Sequence, residues 1–234
     1  MYNKNIGLII YIKKIKDNDL FIRILSKDDN IITGIVYGGN SSKKKLIYQL
    51  GYFIEYNIVL KNDNLVSSIN AEIVPPFINS FFNDKFKAFS LLAIISLLNL
   101  SIIEGQKVKD LFSSIKNLIN TINTLKHWII DFFEWLFYLL QIIGYQVAFE
   151  DKSNFKYYNL EIQDFVYEKS NQNTIEFPHE LFNNRNKAFT LKEVRSVFTI
   201  FENIFQKNHL NNFNAKIPTN FVNFRNLILD QLEN

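Results

Sequence analysis

Two groups of lysines near the start of the chain have the spacing of a phosphate-binding surface. Lys43, Lys44 and Lys45 follow Gly38-Gly39, so that a turn would present three consecutive ammonium groups. A second group, Lys13, Lys14 and Lys16, lies at the end of the first apolar run. Lysine and arginine side chains bind phosphate backbones by neutralising them and releasing counterions, without reading the sequence. The lysines therefore predict a nucleic-acid-binding surface, and the alternative is a solvated loop.

Arg23 and several aromatic side chains could extend this surface. Proteins that bind single strands combine a basic groove with aromatic rings on which the bases stack. Tyr11, Phe21 and Tyr37 lie in the same part of the chain and are the candidate platforms. For Phe21, a place in the hydrophobic core is the favoured alternative. The predicted binding residues are Lys13, Lys14, Lys16, Arg23, Tyr37, Lys43, Lys44 and Lys45.

The sequence contains little that could support catalysis or a metal site. It has no cysteine, which excludes disulfides, thiolate zinc sites and cysteine nucleophiles. The histidines have none of the spacings at which a pair binds one metal ion. Asp131 and Glu134 would share one helix face and could form an acid–base pair, but carboxylates in a core helix more often have a structural role. We therefore expect no enzymatic activity, no cofactor and no metal.

The distribution of charge agrees with a basic N-terminal part. The chain has 234 residues, with 26 lysines and arginines and 23 aspartates and glutamates. The whole surplus of basic residues lies in the first 80 residues. Hydrophobic residues make up 47% of the chain, as in globular proteins. The apolar runs Leu91–Ile103 and Trp128–Ile143 are too short to span a bilayer and predict buried helices. The first residues do not have the pattern of a signal peptide, so we expect a cytoplasmic protein.

Short runs of β-branched and aromatic residues predict five strands ahead of Pro75. Polar clusters of Asp, Asn, Gly and Ser separate them and predict turns. The five strands are Gly7–Lys13, Leu20–Leu25, Ile31–Tyr37, Leu50–Leu60 and Leu65–Val74. In the second strand, residues 20, 22 and 24 lie on one face and residues 21, 23 and 25 on the other. Five strands at this spacing, with a longer link after the third, favour a small barrel over a fragment of a β-sandwich.

Pro75-Pro76 ends the strand pattern, and a helical periodicity follows it. Ile78–Glu104 is predicted as one long helix or two short ones, Lys109–Ile119 as an amphipathic helix and Leu125–Ile143 as a buried central helix. Possible strands follow at Tyr157–Ile162 and Phe165–Tyr167. A capping box of Thr190 with Glu193 opens the next helix, and a last helix lies near Pro218. The sequence therefore predicts an α+β protein, with a barrel domain at residues 1–76 and an all-helical domain at residues 77–234.

Five segments also follow one another in an order that is found in a known family. They are Gly7 to Tyr11, Asp17 to Ser26, Tyr37 to Lys45 with Leu50-Gly51 after it, Phe133-Glu134-Trp135-Leu136 through Gly144-Tyr145, and Phe201-Glu202 to Pro218. They resemble the opening strand, the acidic segment and second strand, the glycine-then-basic segment, the Phe-Glu helix that ends in Gly-Tyr, and the closing helix–loop–proline of the bacterial RecO family of recombination mediators. Each match alone is weak, but together they span nearly the whole chain.

The resemblance implies an OB-fold barrel followed by a helical domain. It also implies that the protein binds and anneals single-stranded DNA, works with RecR and with single-strand-binding protein, and helps to load the recombinase during recombinational DNA repair at the bacterial nucleoid. Lys43, Lys44 and Lys45 match the basic segment of the family, with lysine in place of its mixture with arginine. Many members carry four cysteines as a zinc module, and residues 149–167 contain none, so we expect the zinc module to be absent.

The residues that bind protein partners match no motif of the family. Lys107, Lys109, Lys116 and Lys126 lie near a predicted apolar groove, and we expect them to contact an acidic peptide tail. Three alternatives to the DNA-binding mediator remain open. The protein could be an interaction scaffold whose barrel has lost DNA binding, an enzyme that uses Asp131 and Glu134, or a peripheral membrane protein with Phe-rich helices.

Overall fold

Five strands occupy the first third of the chain in the computed structural model, which describes residues 5–59, 67–102, 104–149, 152, 154–169, 172–185 and 188–233. The strands are β1 Asn5–Lys16, β2 Asp19–Ser26, β3 Ile31–Val36, β4 Phe53–Val59 and β5 Ser68–Ile73. Their number and order confirm the prediction. β1 continues to Lys16, beyond the predicted end at Lys13. Leu60, the predicted end of the fourth strand, and Leu65, the predicted start of the fifth, lie outside the described residues.

The five strands close into a barrel in the order β1-β2-β3-β5-β4, with β4 returning to β1. This order confirms the predicted five-stranded barrel. All the pairs are antiparallel except β3 with β5, which are joined in parallel at Ile35 and Ser68. Gly34 lies at this junction, where a Cβ atom would come within 2.5 Å of the Ile69 side chain. The close approach of β3 and β5 therefore requires glycine.

The interior of the barrel follows the alternation seen in the sequence. Leu20, Ile22 and Ile24 of β2 point into a core that also contains Ile9, Val36, Ile54, Tyr56 and Ile69. The Phe21 and Arg23 side chains are half-buried on the opposite face of β2. The structure therefore places Phe21 outside the barrel core, in contrast to the favoured expectation, because the register of β2 directs its even-numbered residues inward.

Two helices complete a first compact unit, which ends at Asn123. A 3₁₀ helix, Asn79–Asn83, precedes α1 Lys85–Ser101, and α2 Leu111–Thr124 follows. The predicted helix Ile78–Glu104 is divided at Asp84, whose carboxylate caps α1 by accepting bonds from the Phe86 and Lys87 amides at 2.9 and 3.2 Å. The assignment of partner binding to residues 77–234 stays a prediction.

The turn between β2 and β3 fastens α2 to the barrel. The Asp29 carboxylate accepts hydrogen bonds from the backbone amides of Asp110 and Phe112, both at 2.8 Å. The Phe112 ring packs edge-on against Phe53 of β4, with their centroids 6.0 Å apart. These contacts satisfy the free amides at the helix N-terminus and bury an aromatic pair.

The second unit begins at Thr124 and contains the remaining elements. They are α3 Ile129–Ile142, β6 Tyr157–Asn159, β7 Asp164–Val166, β8 Thr174–Glu176, α4 His179–Asn183, α5 Leu191–Ile204 and α6 Thr219–Glu233, with a π-helix Phe205–His209 and a 3₁₀ helix Leu210–Phe213 between α5 and α6. α3 is the predicted buried helix, and Gly144 follows it with φ +97°. The capping box of Thr190 with Glu193 is present at the start of α5. The two predicted strands pair in a three-stranded sheet with β8, which the sequence analysis missed.

Within the described part of the chain, the helices are all too short or too polar to cross a bilayer. The apolar runs that raised this question lie in α1 and α3. Both helices bury most of their apolar side chains within the protein, as the sequence predicts.

Candidate nucleic-acid interface

Hydrogen bonds join the segments that carry the two lysine groups at one end of the barrel. The Asn40 amide donates a 2.8 Å hydrogen bond to the Asn18 carbonyl, in the turn between β1 and β2. The Gly38 amide donates to the Asp19 carboxylate, also at 2.8 Å. These bonds place the segment after β3 against the end of β1, where Lys13, Lys14 and Lys16 are exposed. The structure thus brings together two predicted clusters that are more than twenty residues apart in the sequence.

Residues 38–49, here called the basic loop, have a defined backbone. Gly38 adopts φ +64°, a left-handed conformation that glycine takes without strain. A helical turn follows, in which the Ser41 carbonyl accepts bonds from the Lys44 and Lys45 amides at 3.1 and 2.9 Å. The Lys44 ammonium group donates to the Tyr37 carbonyl at 2.9 Å. Lys43 and Lys45 are therefore the exposed cations of the triplet, whereas Lys44 is half-buried and supports the turn.

Tyr48 anchors the basic loop in the barrel. Its side chain is 4% exposed and belongs to the barrel core. The Ala71 amide of β5 donates a 2.9 Å hydrogen bond to the Tyr48 hydroxyl oxygen. Burial raises the pKa of Tyr48, an effect that the Ala71 hydrogen bond partly offsets. This anchor was not predicted from the sequence, where its signal is a single aromatic residue, Tyr48, three positions after Lys45.

The aromatic candidates lie at two places. Tyr37 is 45% exposed at the start of the basic loop, where its carbonyl holds Lys44. Tyr11 is also exposed, and its ring meets that of Phe21 edge-to-face, with centroids 6.4 Å apart. Tyr37 is therefore beside the lysine triplet, while Tyr11 and Phe21 form a pair on the outer face of β1 and β2.

Arg23 is held by the first helix. One terminal nitrogen of its guanidinium donates to the Asn99 side-chain oxygen at 3.1 Å, and the other donates to the Ile102 carbonyl at 3.2 Å. Asn99 in turn donates to the Ile10 carbonyl of β1. Arg23 thus links β2 to the C-terminal end of α1, and its predicted role in DNA binding stays a prediction.

The lysines predicted to bind a partner do not all belong to one unit. Lys107 and Lys109 are exposed between α1 and α2, and Lys116 is half-buried on α2. Lys126 is exposed in the second unit. The apolar groove beside these lysines and their binding of a protein partner both stay predictions.

Asp131 and Glu134 both pair with Arg185. One guanidinium nitrogen lies 2.6 Å from the Asp131 carboxylate and the other lies 2.6 Å from the Glu134 carboxylate. Burial raises the pKa of Glu134, and the nearby Arg185 opposes this effect. The arrangement is that of carboxylates bound by a structural cation. Among the residues that the structure describes, no cluster of His, Asp and Glu could hold a metal ion.

Comparisons with known proteins agree with the barrel and its position. Residues 1–77 match the sequence model of the family described as "Recombination protein O N terminal". The chain is similar to "DNA repair protein RecO" of Rickettsia canadensis (strain McKiel), with 26% identity over 144 residues, covering 62% of this chain and 59% of that protein.

Two further relatives give similar figures. The protein of the same name from Rickettsia bellii (strain OSU 85-389) is 26% identical over 147 residues, and that from Orientia tsutsugamushi (strain Boryong) is 24% identical over 144 residues. Each alignment covers 62% of this chain and 60% of the relative, so the chain spans about three fifths of the length of the curated relatives that it matches. Residues 1–77 therefore resemble the N-terminal part of the RecO family, and the chain is similar to these relatives over about three fifths of its length.

Proposed function

We propose that this protein acts in DNA repair, as a recombination mediator that binds and anneals single-stranded DNA. Its barrel binds the phosphate backbone through Lys13, Lys14, Lys16, Lys43 and Lys45. Residues 77–234 bind RecR-like and single-strand-binding-protein-like partners, and the complex helps to load the recombinase at the nucleoid in the cytoplasm. It turns over no small-molecule substrate and needs no cofactor.

The observation that carries this proposal is the contact between the basic loop and the turn of β1 and β2. The Asn40–Asn18 and Gly38–Asp19 hydrogen bonds unite two lysine groups on one end of the barrel. Two carboxylates belong to this turn, Asp17, which is exposed, and Asp19, which accepts the Gly38 amide, against six lysines in the two groups. The result is a local excess of positive charge on a rigid support, which suits a polyanion whose sequence is not read.

The test is a salt titration with a fluorescent single-stranded oligonucleotide. We expect the affinity of the wild-type protein to fall steeply, with a log–log slope of about −0.7 for each phosphate contacted. The double variant Lys43→Gln/Lys45→Gln should bind more weakly and give a slope that is shallower by about 0.7 for each lost contact. Lys44 is left intact because it supports the turn.

A matched control changes the same number of charges elsewhere in the first unit. Lys107→Gln/Lys109→Gln removes two exposed lysines from the link between α1 and α2 and should leave the slope unchanged. Equal losses in both double variants would show that only the total charge matters. No binding by the wild-type protein even at low salt would favour the alternative, a scaffold that acts through protein partners alone.

Annealing and partner binding need their own measurement. We expect the wild-type protein to accelerate pairing of two complementary oligonucleotides coated with single-strand-binding protein, and the basic-loop variant to lose this acceleration along with its DNA affinity. Loss of annealing in Lys107→Gln/Lys109→Gln with DNA affinity intact would instead assign those two lysines to the partner surface.

A further inference from the structure

An exposed aromatic side chain lies just outside the barrel, on the 3₁₀ helix that leads to α1. Phe82 is 61% exposed, although transfer of a phenylalanine ring from water to an apolar environment is favourable. Its neighbour in space is Tyr52, whose half-buried ring lies 6.4 Å away at an angle of 47°. Tyr52 packs against the barrel core, so one side of the Phe82 ring contacts a side chain that the core holds in place.

A short path of hydrogen bonds connects this aromatic pair to the basic loop. The Gln49 side chain donates to the Lys45 carbonyl, and the Tyr52 amide donates to the Gln49 carbonyl at 3.2 Å. One helical turn and one tight turn therefore separate the exposed Lys45 from Tyr52. Tyr52 then contacts Phe82, so a chain of contacts within the first unit, here called the strip, runs from the lysine triplet to the exposed ring.

The charges beside Phe82 favour a polyanion. Lys85 is exposed in the first turn of α1, three residues after Phe82. The Asp84 carboxylate between them is occupied as the cap of α1 by two backbone amides. The segment from Lys43 to Tyr52 contains three lysines and no acidic residue. A protein partner with an acidic surface would fit the charge as well, but a single protruding ring beside a row of lysines is the pattern of a single-strand binder.

We propose that Phe82 stacks on a base of single-stranded nucleic acid. The bound strand runs from the basic loop along this strip to Phe82. The inference rests on the proposed function, since it extends the same binding surface. The ring of Phe82 carries no charge and offers no hydrogen bond, so it stacks on any base without sequence preference. The contact lengthens the bound strand beyond the barrel and onto the segment that leads to α1.

The test uses fluorescence of a Phe82→Trp variant in the full-length chain. The natural tryptophans, Trp128 and Trp135, are 5% and 4% exposed, so they are shielded from a bound strand. We expect a poly(dT) oligonucleotide to quench the emission of the new tryptophan and to protect it from iodide. The control is Phe213→Trp, at a 54% exposed position of the second unit, whose emission should not respond to the oligonucleotide.

A second set of variants separates stacking from general contact. Phe82→Ala should weaken oligonucleotide binding at least about fivefold without changing the salt slope, since no charge is lost. Phe82→Tyr should retain the affinity, whereas Phe82→Leu should not restore it. The inference is overturned if the wild-type protein binds the oligonucleotide while Phe82→Trp stays unquenched and Phe82→Ala binds normally; Phe82 would then be free for a protein partner. If the wild-type protein binds no oligonucleotide, the proposed function and this inference both fail.

Discussion

The guanidinium of Arg23 on β2 donates a 3.1 Å hydrogen bond to the side-chain oxygen of Asn99 on α1, 76 residues later in the chain. Asn99 also donates to the Ile10 carbonyl, so a strand pair and a helix are joined through two side chains. A predicted DNA contact thus has a clear structural role. A structural role predicts that substitution of Arg23 lowers the stability of the protein, whereas a DNA-binding role predicts that it lowers the affinity for DNA.

We expect Arg23→Ala to affect stability more than DNA binding. The substitution removes two charge-assisted bonds and leaves the Ile102 carbonyl without this donor, which should cost about 2–3 kcal/mol of unfolding free energy. Urea unfolding measures this loss, with Asn99→Ala as the matched change on the other side of the contact. A salt slope that becomes shallower in folded Arg23→Ala would instead restore Arg23 to the DNA-binding surface.

Tyr48→Phe should loosen the basic loop. The variant keeps the buried ring but leaves the Ala71 amide of β5 without its acceptor, a loss of about 1–3 kcal/mol. We expect a lower urea midpoint and a weaker affinity for single-stranded DNA, because the lysines lose a fixed support. Tyr11→Phe, at an exposed position, provides the comparison. Unchanged stability would show that the Ala71 bond is replaced by water.

The barrel should lose stability in alkaline solution. Burial is the main cause that raises the pKa of Tyr56 to about 12, with a hydrogen bond to Ser26 acting in the opposite direction. A raised pKa means that the unfolded state ionises first, near pH 10. The stabilising contribution is therefore fully present below pH 10 and is lost as the pH rises towards 12, by up to about 3 kcal/mol.

Urea unfolding between pH 8 and pH 11 checks this dependence on Tyr56. Tyr56→Phe should flatten the fall without abolishing it, because burial also raises the pKa of Tyr158 in the second unit. A profile identical to that of the wild-type protein would mean that Tyr56 ionises in the folded barrel as it does in the unfolded chain.

A fragment that ends at Asn123 should be more stable than one that ends at Pro76. The longer fragment retains α1 and α2, and with them the Asp29 contacts to the Asp110 and Phe112 amides. Circular dichroism during urea unfolding compares the two. Asp29→Ala in the full-length chain isolates the capping contribution, which should be about 1 kcal/mol. Equal midpoints for the two fragments would show that the barrel is independent of both helices.

The variant Asp131→Asn/Glu134→Gln tests the enzymatic alternative. Arg185 is half-exposed where it pairs with both carboxylates, and pairs that water reaches contribute little, so their removal should cost about 1 kcal/mol. We expect the variant to bind and anneal DNA as the wild-type protein does. A folded variant that fails to complement a repair-deficient strain while still binding DNA would revive a catalytic role for the pair.

Local patterns were sufficient to predict the local elements. Alternation in β2, the polar turns and the capping box of Thr190 with Glu193 each depend on residues within a few positions of one another. The β8 strand was missed because it follows a run of polar residues, Lys169 to Asn173, that is typical of a loop. The π turn Phe205–His209 was missed because it continues the apolar stripe of α5.

The candidate site shows the same division. The lysine groups could be read from the sequence, and the predicted barrel implied that their loops lie on one side; their role in DNA binding stays a prediction. The partners of Arg23 and Asp29 could not, because Asn99 and Phe112 are 76 and 83 residues away and nothing in the local pattern singles them out. The anchoring of Tyr48 by Ala71 depends in the same way on barrel closure.

The short parallel junction of β3 with β5 has a consequence for the order of folding. The meander β1-β2-β3 and the hairpin β4-β5 are each made of antiparallel neighbours in the chain, which form with little loss of loop entropy. Joining them through β1–β4 and β3–β5 is non-local and is therefore expected to be the late, slow step. The basic loop is the connection between these two halves, so the proposed DNA-binding surface is assembled only when the nascent chain completes its barrel.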